Sequence, residues 1–228
     1  MRAMLLAAGR GERLRPLTDH TPKPLLEVAG KPLIVRQVER LAQAGIKEFV
    51  INLAHLGPLI EARLGDGQAW GVRLTYSREP AGALDAAGGL RWALPLLGAQ
   101  PFVVANTDIW TDFDFATLPV TLTGLAHLVL VPNPAHHPLG DFGLRDTQVC
   151  HPGSPAFTYA GIGLFSPALF TSLSAGARAP LAPLLREAIA ANAVSGTLFT
   201  GRWIDVGTLE RWREAEAAAA DPAPCEPL

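Results

Sequence analysis

Two carboxylates stand where carboxylates are expensive. Asp108 follows the apolar run "PFVVAN" (101–106), and Asp205 lies inside "RWIDVGT" (202–208). An ionised group in such a setting costs free energy unless it is hydrogen-bonded, as in a cap or turn, or bound to a metal. At the other end of the chain, residues 1–31 carry six Lys/Arg against three acids, in a protein whose formal net charge is −2. Gly9 and Gly11 flank Arg10 directly after an apolar run. Glycines there allow a tight turn and bring backbone N–H groups close to a ligand. Arg13 and Arg15 follow, and Lys23 lies between Pro22 and Pro24 in "TPKPLL". The two prolines restrict the backbone around Lys23 and so aim its ammonium. Turn, arginines and aimed lysine together would serve a triphosphate. The segment matches neither the dinucleotide fingerprint nor the Walker loop, since the later glycines and the Gly-Lys-Ser/Thr are missing.

No Ser–His or Cys–His arrangement suggests a nucleophile. His136–His137 resembles a metal pair, but adjacent side chains diverge and the Pro and Gly around them read as a loop. His20 and His55 are read as ordinary surface residues. The five tryptophans are read mostly as core, with Trp203 of interest for its closeness to Asp205.

These residues need a scaffold. At 228 residues, 49% hydrophobic and 18% charged, the chain can bury one sizeable core. The overall charge balance gives no reason to expect nucleic acid or a membrane surface as a partner. "MRAMLLAAG" reads as a buried strand rather than a signal peptide, because its short apolar stretch runs straight into Gly-Arg-Gly-Glu-Arg. Cys150 and Cys225 lack metal-type spacing and read as reduced thiols, so the expected location is the cytoplasm.

Apolar strands are expected at 3–8, 48–53, 72–77, 101–106 and 127–132. Helices are expected over 32–45, with Gly45 as its C-cap, and over 55–65 and 85–97. That alternation predicts an α/β fold, a mostly parallel sheet with helices on both faces, which binds ligands at the carboxyl ends of its strands. Beyond residue 133 the pattern becomes irregular, as an inserted antiparallel region would. A helix over 180–193, a strand over 196–208 and a helix over 209–221 follow. The reading is a single domain over 1–221 with a frayed tail at 222–228.

"LAAGRGERLRPLT" followed by "PKPLLEVAGKPL" resembles the signature of the sugar-1-phosphate nucleotidylyltransferases. "NTDIWTD" (106–112) and "RWIDVGT" (202–208) resemble that family's two metal-carboxylate segments. "GLAHLVLVPNPAHHPLGDF" and "YAGIGLFSP" are similar to the branch acting on N-acetylmuramate 1-phosphate in peptidoglycan recycling. The resemblance spans essentially the full length. It implies a three-layer, Rossmann-like nucleotide-diphospho-sugar transferase fold with a mixed, mostly parallel sheet. It also implies Mg²⁺ held by Asp108 and Asp205, with a nucleoside triphosphate (UTP preferred) and a sugar 1-phosphate as substrates. The expected assembly is a monomer or small homo-oligomer.

By the same resemblance the catalytic set is Arg13, Lys23, Asp108 and Asp205. Arg13 would take the β- and γ-phosphates, and Lys23 the α-phosphate and the incoming phosphate, a fork and a point charge suited to those tasks. Ala8, Gly9, Gly11 and Glu12 would cradle the triphosphate. Glu79, Asp85, Ala87 and Gly88, within "SREPAGALDAAGG" (77–89), would complete the nucleotide site, and Asn106, Asp141 and Gly161 would recognise the sugar. Asp85-Ala86 replaces the branch's Glu-Thr, and Thr107 stands where a small residue is usual. Other readings are guanylyl transfer to mannose 1-phosphate, thymidylyl transfer to glucose 1-phosphate, a cytidylyltransferase acting on a phosphorylated alcohol, and a silent nucleotide-sensing subunit. The last would require loss of the four catalytic-type residues, and all four are present.

Overall fold

The computed structural model describes residues 1–80, 82–153 and 155–220. The expected tail at 222–228, with Cys225, lies outside the described residues. In chain order the strands are β1 (Arg2–Leu6), β2 (Glu27–Val28), β3 (Lys31–Pro32), β4 (Glu48–Leu53), β5 (Arg73–Arg78), β6 (Phe102–Asn106) and β7 (Ile109–Thr111). They continue as β8 (Ala126–Val131), β9 (Phe142–Arg145), β10 (Gln148–Cys150), β11 (Ala156–Phe165), β12 (Val194–Leu198) and β13 (Trp203–Asp205). The helices are α1 (Leu33–Gln43), α2 (Gly57–Leu64), α3 (Asp85–Leu97), α4 (Leu181–Ala190) and α5 (Leu209–Ala220).

Among the described residues, the main sheet has nine strands in the order β5-β4-β1-β6-β11-β8-β12-β10-β9. β5, β4, β1 and β6 run parallel, β11 is antiparallel to both β6 and β8, and β12 is again parallel to β8. The parallel half consists of apolar runs because it is covered on both faces. One face buries Leu5, Phe49, Ile51, Val103 and Ala105 with Ile34, Val38 and Leu41 of α1 and Ile60 of α2. The other buries Met4, Val50, Val104, Leu128 and Phe165 with Leu90 and Ala93 of α3 and Leu185 and Ile189 of α4. The helix boundaries follow local chemistry. Gly45, at φ +88°, closes the turn after α1 by donating to the Ala42 carbonyl (3.0 Å), and a left-handed glycine is the common helix terminator.

The expected strand over 196–208 is corrected. It breaks into β12, in the main sheet, and β13, which pairs antiparallel with β7 in a separate two-stranded sheet. Phe199 turns its ring into Phe113 (centroids 5.2 Å apart). Arg202 N–H then bonds to Asp112 Oδ1 (2.8 Å), which redirects the chain. The reading of the tryptophans as mostly core is also corrected: Trp110 alone of the five is buried, and Trp92 is exposed.

α5 closes the molecule over a small third cluster of Leu14, Val28, Leu33, Trp110 and Val206. Trp212 Nε1 of α5 donates to the Glu27 carbonyl of β2 (2.7 Å). The C-terminal helix thereby ties the basic N-terminal segment to β13.

His127 is buried on β8, its Nδ1 2.9 Å from Ser195 Oγ and its Nε2 3.0 Å from Thr197 Oγ1. Burial lowers its pKa below the ordinary histidine value. The unfolded chain therefore takes up the proton first as pH falls, so this contribution to stability is complete above about 6.5 and declines below it. The melting temperature should drop between about pH 7 and pH 5.5, and His127→Gln should flatten that slope while lowering stability at pH 7.

Candidate active site

The site lies at the carboxyl ends of β1, β4 and β6, where an open parallel sheet binds its ligands. A cavity of about 240 Å³ is lined by Ala8 and Gly9 after β1, Asn52 of β4, Glu79 after β5, Asp85 and Ala86 of α3, Lys23, and Asn106 and Asp108. A second cavity, about 350 Å³, shares Asn106 and Asp108 and adds Arg13, His136, His137, Tyr159, Trp203, Asp205 and Arg211. The two therefore meet at Asn106 and Asp108.

Backbone chemistry explains the first wall. A Cβ at Gly9 would have open space around it, so this stretch presents bare main chain to the cavity. Gly11 stands at φ +65°, and a Cβ there would lie 2.9 Å from Thr18 Cγ2 and 3.1 Å from Lys23 Cβ. The glycine turn and the lysine segment are thus packed together. Thr18 Oγ1 fixes the turn by donating to the Gly11 carbonyl (2.8 Å). Lys23 is buried, and its Nζ donates to Asp108 Oδ2 (2.5 Å). Arg15 and Lys31 are committed to exposed or half-exposed pairs with Asp19 and Glu39, away from the cavities.

The two carboxylates come together through strand pairing. Asp205 ends β13 opposite Ile109, and Val206 N–H donates to the Asp108 carbonyl (2.7 Å). Asp205 Oδ1 takes His136 Nε2 (2.9 Å), and Arg211 Nη1 reaches both its oxygens (2.9 and 2.8 Å). Asp108 is thus paired with Lys23 from the distant N-terminal segment and Asp205 with Arg211 of the adjoining helix, so each partly exposed carboxylate already holds a cation. Two carboxylates on one cavity wall form a donor set that fits Mg²⁺, which draws its remaining ligands from phosphate and water.

The other expected residues separate into three groups. Ala8, Gly9, Glu79 and Asp85 line the first cavity. Glu79 is already engaged: Oε1 accepts from Asn52 Nδ2 (2.7 Å) and Oε2 from Leu84 N–H (2.8 Å). Asn52 Oδ1 in turn accepts from Ala7 N–H (2.7 Å), so this relay holds the β1 turn and the approach to α3 in register. Asp85 sits at φ +58° and is bridged by Arg178 Nε (2.8 Å) and Nη2 (3.2 Å).

Ala87 and Gly88 require correction. Ala87 faces the second core, and Gly88 donates to the Ala179 carbonyl (3.0 Å), its α-carbon pressed against residues 177–179. Gly11, half-buried, and Glu12, exposed, are not among the lining residues of either cavity.

Asn106 and Gly161 do meet. Gly161, at φ +74°, lies in the irregular stretch of β11, and a Cβ there would stand 2.5 Å from Asn106 Nδ2. Asp141 holds the wall from behind, accepting from Tyr159 N–H (2.8 Å) and meeting His137 Nε2 (3.1 Å). Burial raises the pKa of the Tyr159 hydroxyl above its ordinary value. Thr107 packs inward and donates to the Leu6 carbonyl (2.6 Å). Gly161→Ala should cost about 1–2 kcal/mol for the left-handed backbone alone and displace Asn106. A lower melting temperature with a raised KM for the acceptor would show both effects.

The reading of the two histidines as a plain loop was incomplete. They do diverge in a turn, yet His136 goes to Asp205 and His137 to Asp141, both beside the second cavity. Arg211, unmarked in the sequence, is the other missed member. Asn52 carried the same signal as Asp108, a polar residue in an apolar strand.

Comparison with known proteins places the chain in a family. A family model described as nucleotidyl transferase matches residues 2–144. The chain is 54% identical over 227 residues to an N-acetylmuramate alpha-1-phosphate uridylyltransferase of Neisseria meningitidis serogroup B, covering 96% of this chain and 98% of that protein. A Caulobacter vibrioides protein of the same name is 33% identical, covering 96% of this chain and 97% of its own length. The catalytic subunit beta of the Danio rerio mannose-1-phosphate guanylyltransferase is 38% identical over 118 residues, half of this chain and 32% of that protein. A solved Bacillus anthracis structure, named for glucose-1-phosphate thymidylyl transfer and containing sucrose, superposes with a TM-score of 0.84 at 23% identity over 99% of this chain and 98% of its own. That structure shares the fold. With the model match over residues 2–144 and two relatives covered along nearly their whole length, the chain belongs to the nucleotidyl transferase family.

Proposed function

We propose that this enzyme transfers a uridylyl group from UTP to N-acetylmuramate 1-phosphate, releasing pyrophosphate and forming the UDP-sugar. The observation that carries the chemistry is the junction of two cavities at Asn106 and Asp108, with Lys23 on one and Arg13 on the other. The choice of base and sugar is supported by full-length similarity to the Neisseria and Caulobacter relatives of that name. Residues 1–221 act as one catalytic unit, with the reaction placed in the cytoplasm and its product returned to cell-wall synthesis.

In the reaction, an oxygen of the sugar phosphate forms a bond to the α-phosphorus. The bond from that phosphorus to the α,β-bridging oxygen breaks, and its electron pair leaves with pyrophosphate. The attacking phosphate has a second pKa near ~6 and is largely ionised at neutral pH, so no general base is required. The barrier is chiefly the repulsion between two anions, and catalysis consists of alignment and charge compensation.

Lys23 Nζ lies at the junction of the cavities and is aimed at the α-phosphate. Arg13 takes the departing end. Ala8 and Gly9 line the triphosphate path, while the Asn52–Glu79–Leu84 relay fixes the nucleoside pocket. Asn106, backed by Gly161, contacts the sugar. Mg²⁺, held by Asp108 and Asp205, would supply charge neutralisation to the phosphate oxygens when bound.

A matrix of the four nucleoside triphosphates against N-acetylmuramate, N-acetylglucosamine, mannose and glucose 1-phosphates, read as pyrophosphate release, tests the assignment. Turnover should be greatest for UTP with N-acetylmuramate 1-phosphate. Turnover confined to GTP with mannose 1-phosphate would refute the uridylyl assignment and leave the reaction class standing.

A further inference from the structure

Arg211, on the first turn of α5, is an unusually placed cation. Its side chain is 9% exposed, Nη1 is committed to Asp205, and Nε is buried without a partner among the described residues. Its Nη2 lies over the α-carbon of Gly207, where a Cβ would overlap it; that same Cβ would stand 3.2 Å from Arg13 Nη2. Arg13 itself is exposed and makes no ion pair or hydrogen bond among the described residues. Two guanidinium groups thus flank one bare α-carbon, with Asp205 bonded to only one of them.

Like charges crowd in this way at a cost that an anion between them removes. The second cavity contains both arginines, whereas Lys23 lines only the first. The pair therefore stands away from the nucleoside, and Arg13, assigned above to the departing end, brings Arg211 to the same end of the triphosphate. Two forked donors suit an anion presenting several oxygens at once.

We propose that Arg211 and Arg13 form a paired-guanidinium site for the pyrophosphate group, whether as the β,γ end of bound triphosphate or as the released product, and that Gly207 is required so the two can converge. The proposal rests on the polyphosphate reading above. It does not depend on which base or sugar is used.

The test is calorimetric titration of the full chain with inorganic pyrophosphate in excess Mg²⁺, alongside Mn²⁺ binding to the free protein by electron paramagnetic resonance. Arg211→Gln should weaken pyrophosphate binding at least about tenfold, with partial recovery in Arg211→Lys. Gly207→Ala, which removes no charge, should also weaken it, and Mn²⁺ affinity should stay within about twofold. Gly207→Ala and Arg211→Lys carry the test if Arg211→Gln fails to fold. Unchanged pyrophosphate affinity in these variants would overturn the proposal. So would a parallel loss of Mn²⁺ binding, which would show Arg211 acting only through Asp205, or a raised KM for the sugar 1-phosphate with pyrophosphate affinity intact. If pyrophosphate binds as expected but the substrate matrix gives another base or sugar, the substrate assignment fails and this site stands.

Discussion

Lys23→Ala lowers kcat/KM by about 10²–10³-fold, the usual range for removing one preorganised charge from a developing anion, and leaves the fold intact. The ammonium is fixed by its surroundings. Pro22 and Pro24 frame it, Gly11 packs on its Cβ, and Asp108 Oδ2 holds Nζ at 2.5 Å. A flexible surface lysine would forfeit much of its electrostatic effect in ordering itself on the substrate. This one is already ordered at the point where the two cavities meet. The same substitution also frees Asp108 from its ion-pair partner. Mn²⁺ affinity of the free protein should therefore hold or rise while turnover collapses. Loss of both together would mean that Lys23 serves only to position Asp108. Steady-state kinetics, metal titration and a melting curve on one preparation separate these outcomes.

Asp108→Asn and Asp205→Asn should each lower turnover by about 10²–10³-fold. The double variant should fall little further, because both carboxylates are assigned to one ion and residues sharing a task are not additive. Two independent binding sites would instead give multiplied losses. The substitutions keep the shape of the side chains. Asp205→Asn nevertheless leaves Arg211 facing an uncharged amide, so some loss of melting temperature accompanies it: the charge of a buried guanidinium is costly without a counter-ion. Asp108→Asn leaves Lys23 in the same position, but at a more exposed carboxylate, and should destabilise less.

Much of this site was legible because its signals are local. An apolar run ended by Asp108, a glycine turn after β1 and a lysine framed by prolines each announce a constraint within a few residues. The first-half strands and α1 to α3 were legible for the same reason, since period and breakers are written into short windows. What stayed hidden depends on tertiary approach. Nothing in "LERWREAEAAAA" distinguishes Arg211 from Arg213, and only the docking of α5 aims the first at Asp205. His136 and His137 were rightly read as diverging, but the carboxylates they reach lie 69 and 4 residues away in sequence. The break between β12 and β13 escaped because an apolar run does not say when its chain changes sheets. At Ala87 and Gly88 the motif identified the right helix, but its packing against residues 177–179 turned them from the cavity.

The most direct measurement is the electron paramagnetic resonance of Mn²⁺ with a non-hydrolysable UTP analogue bound. One ion per chain is expected, coupled to phosphorus, and lost in both Asp108→Asn and Asp205→Asn. An ion retained when either carboxylate is removed, or two ions each dependent on one of them, would contradict a single metal shared between the two acids at the meeting point of the cavities.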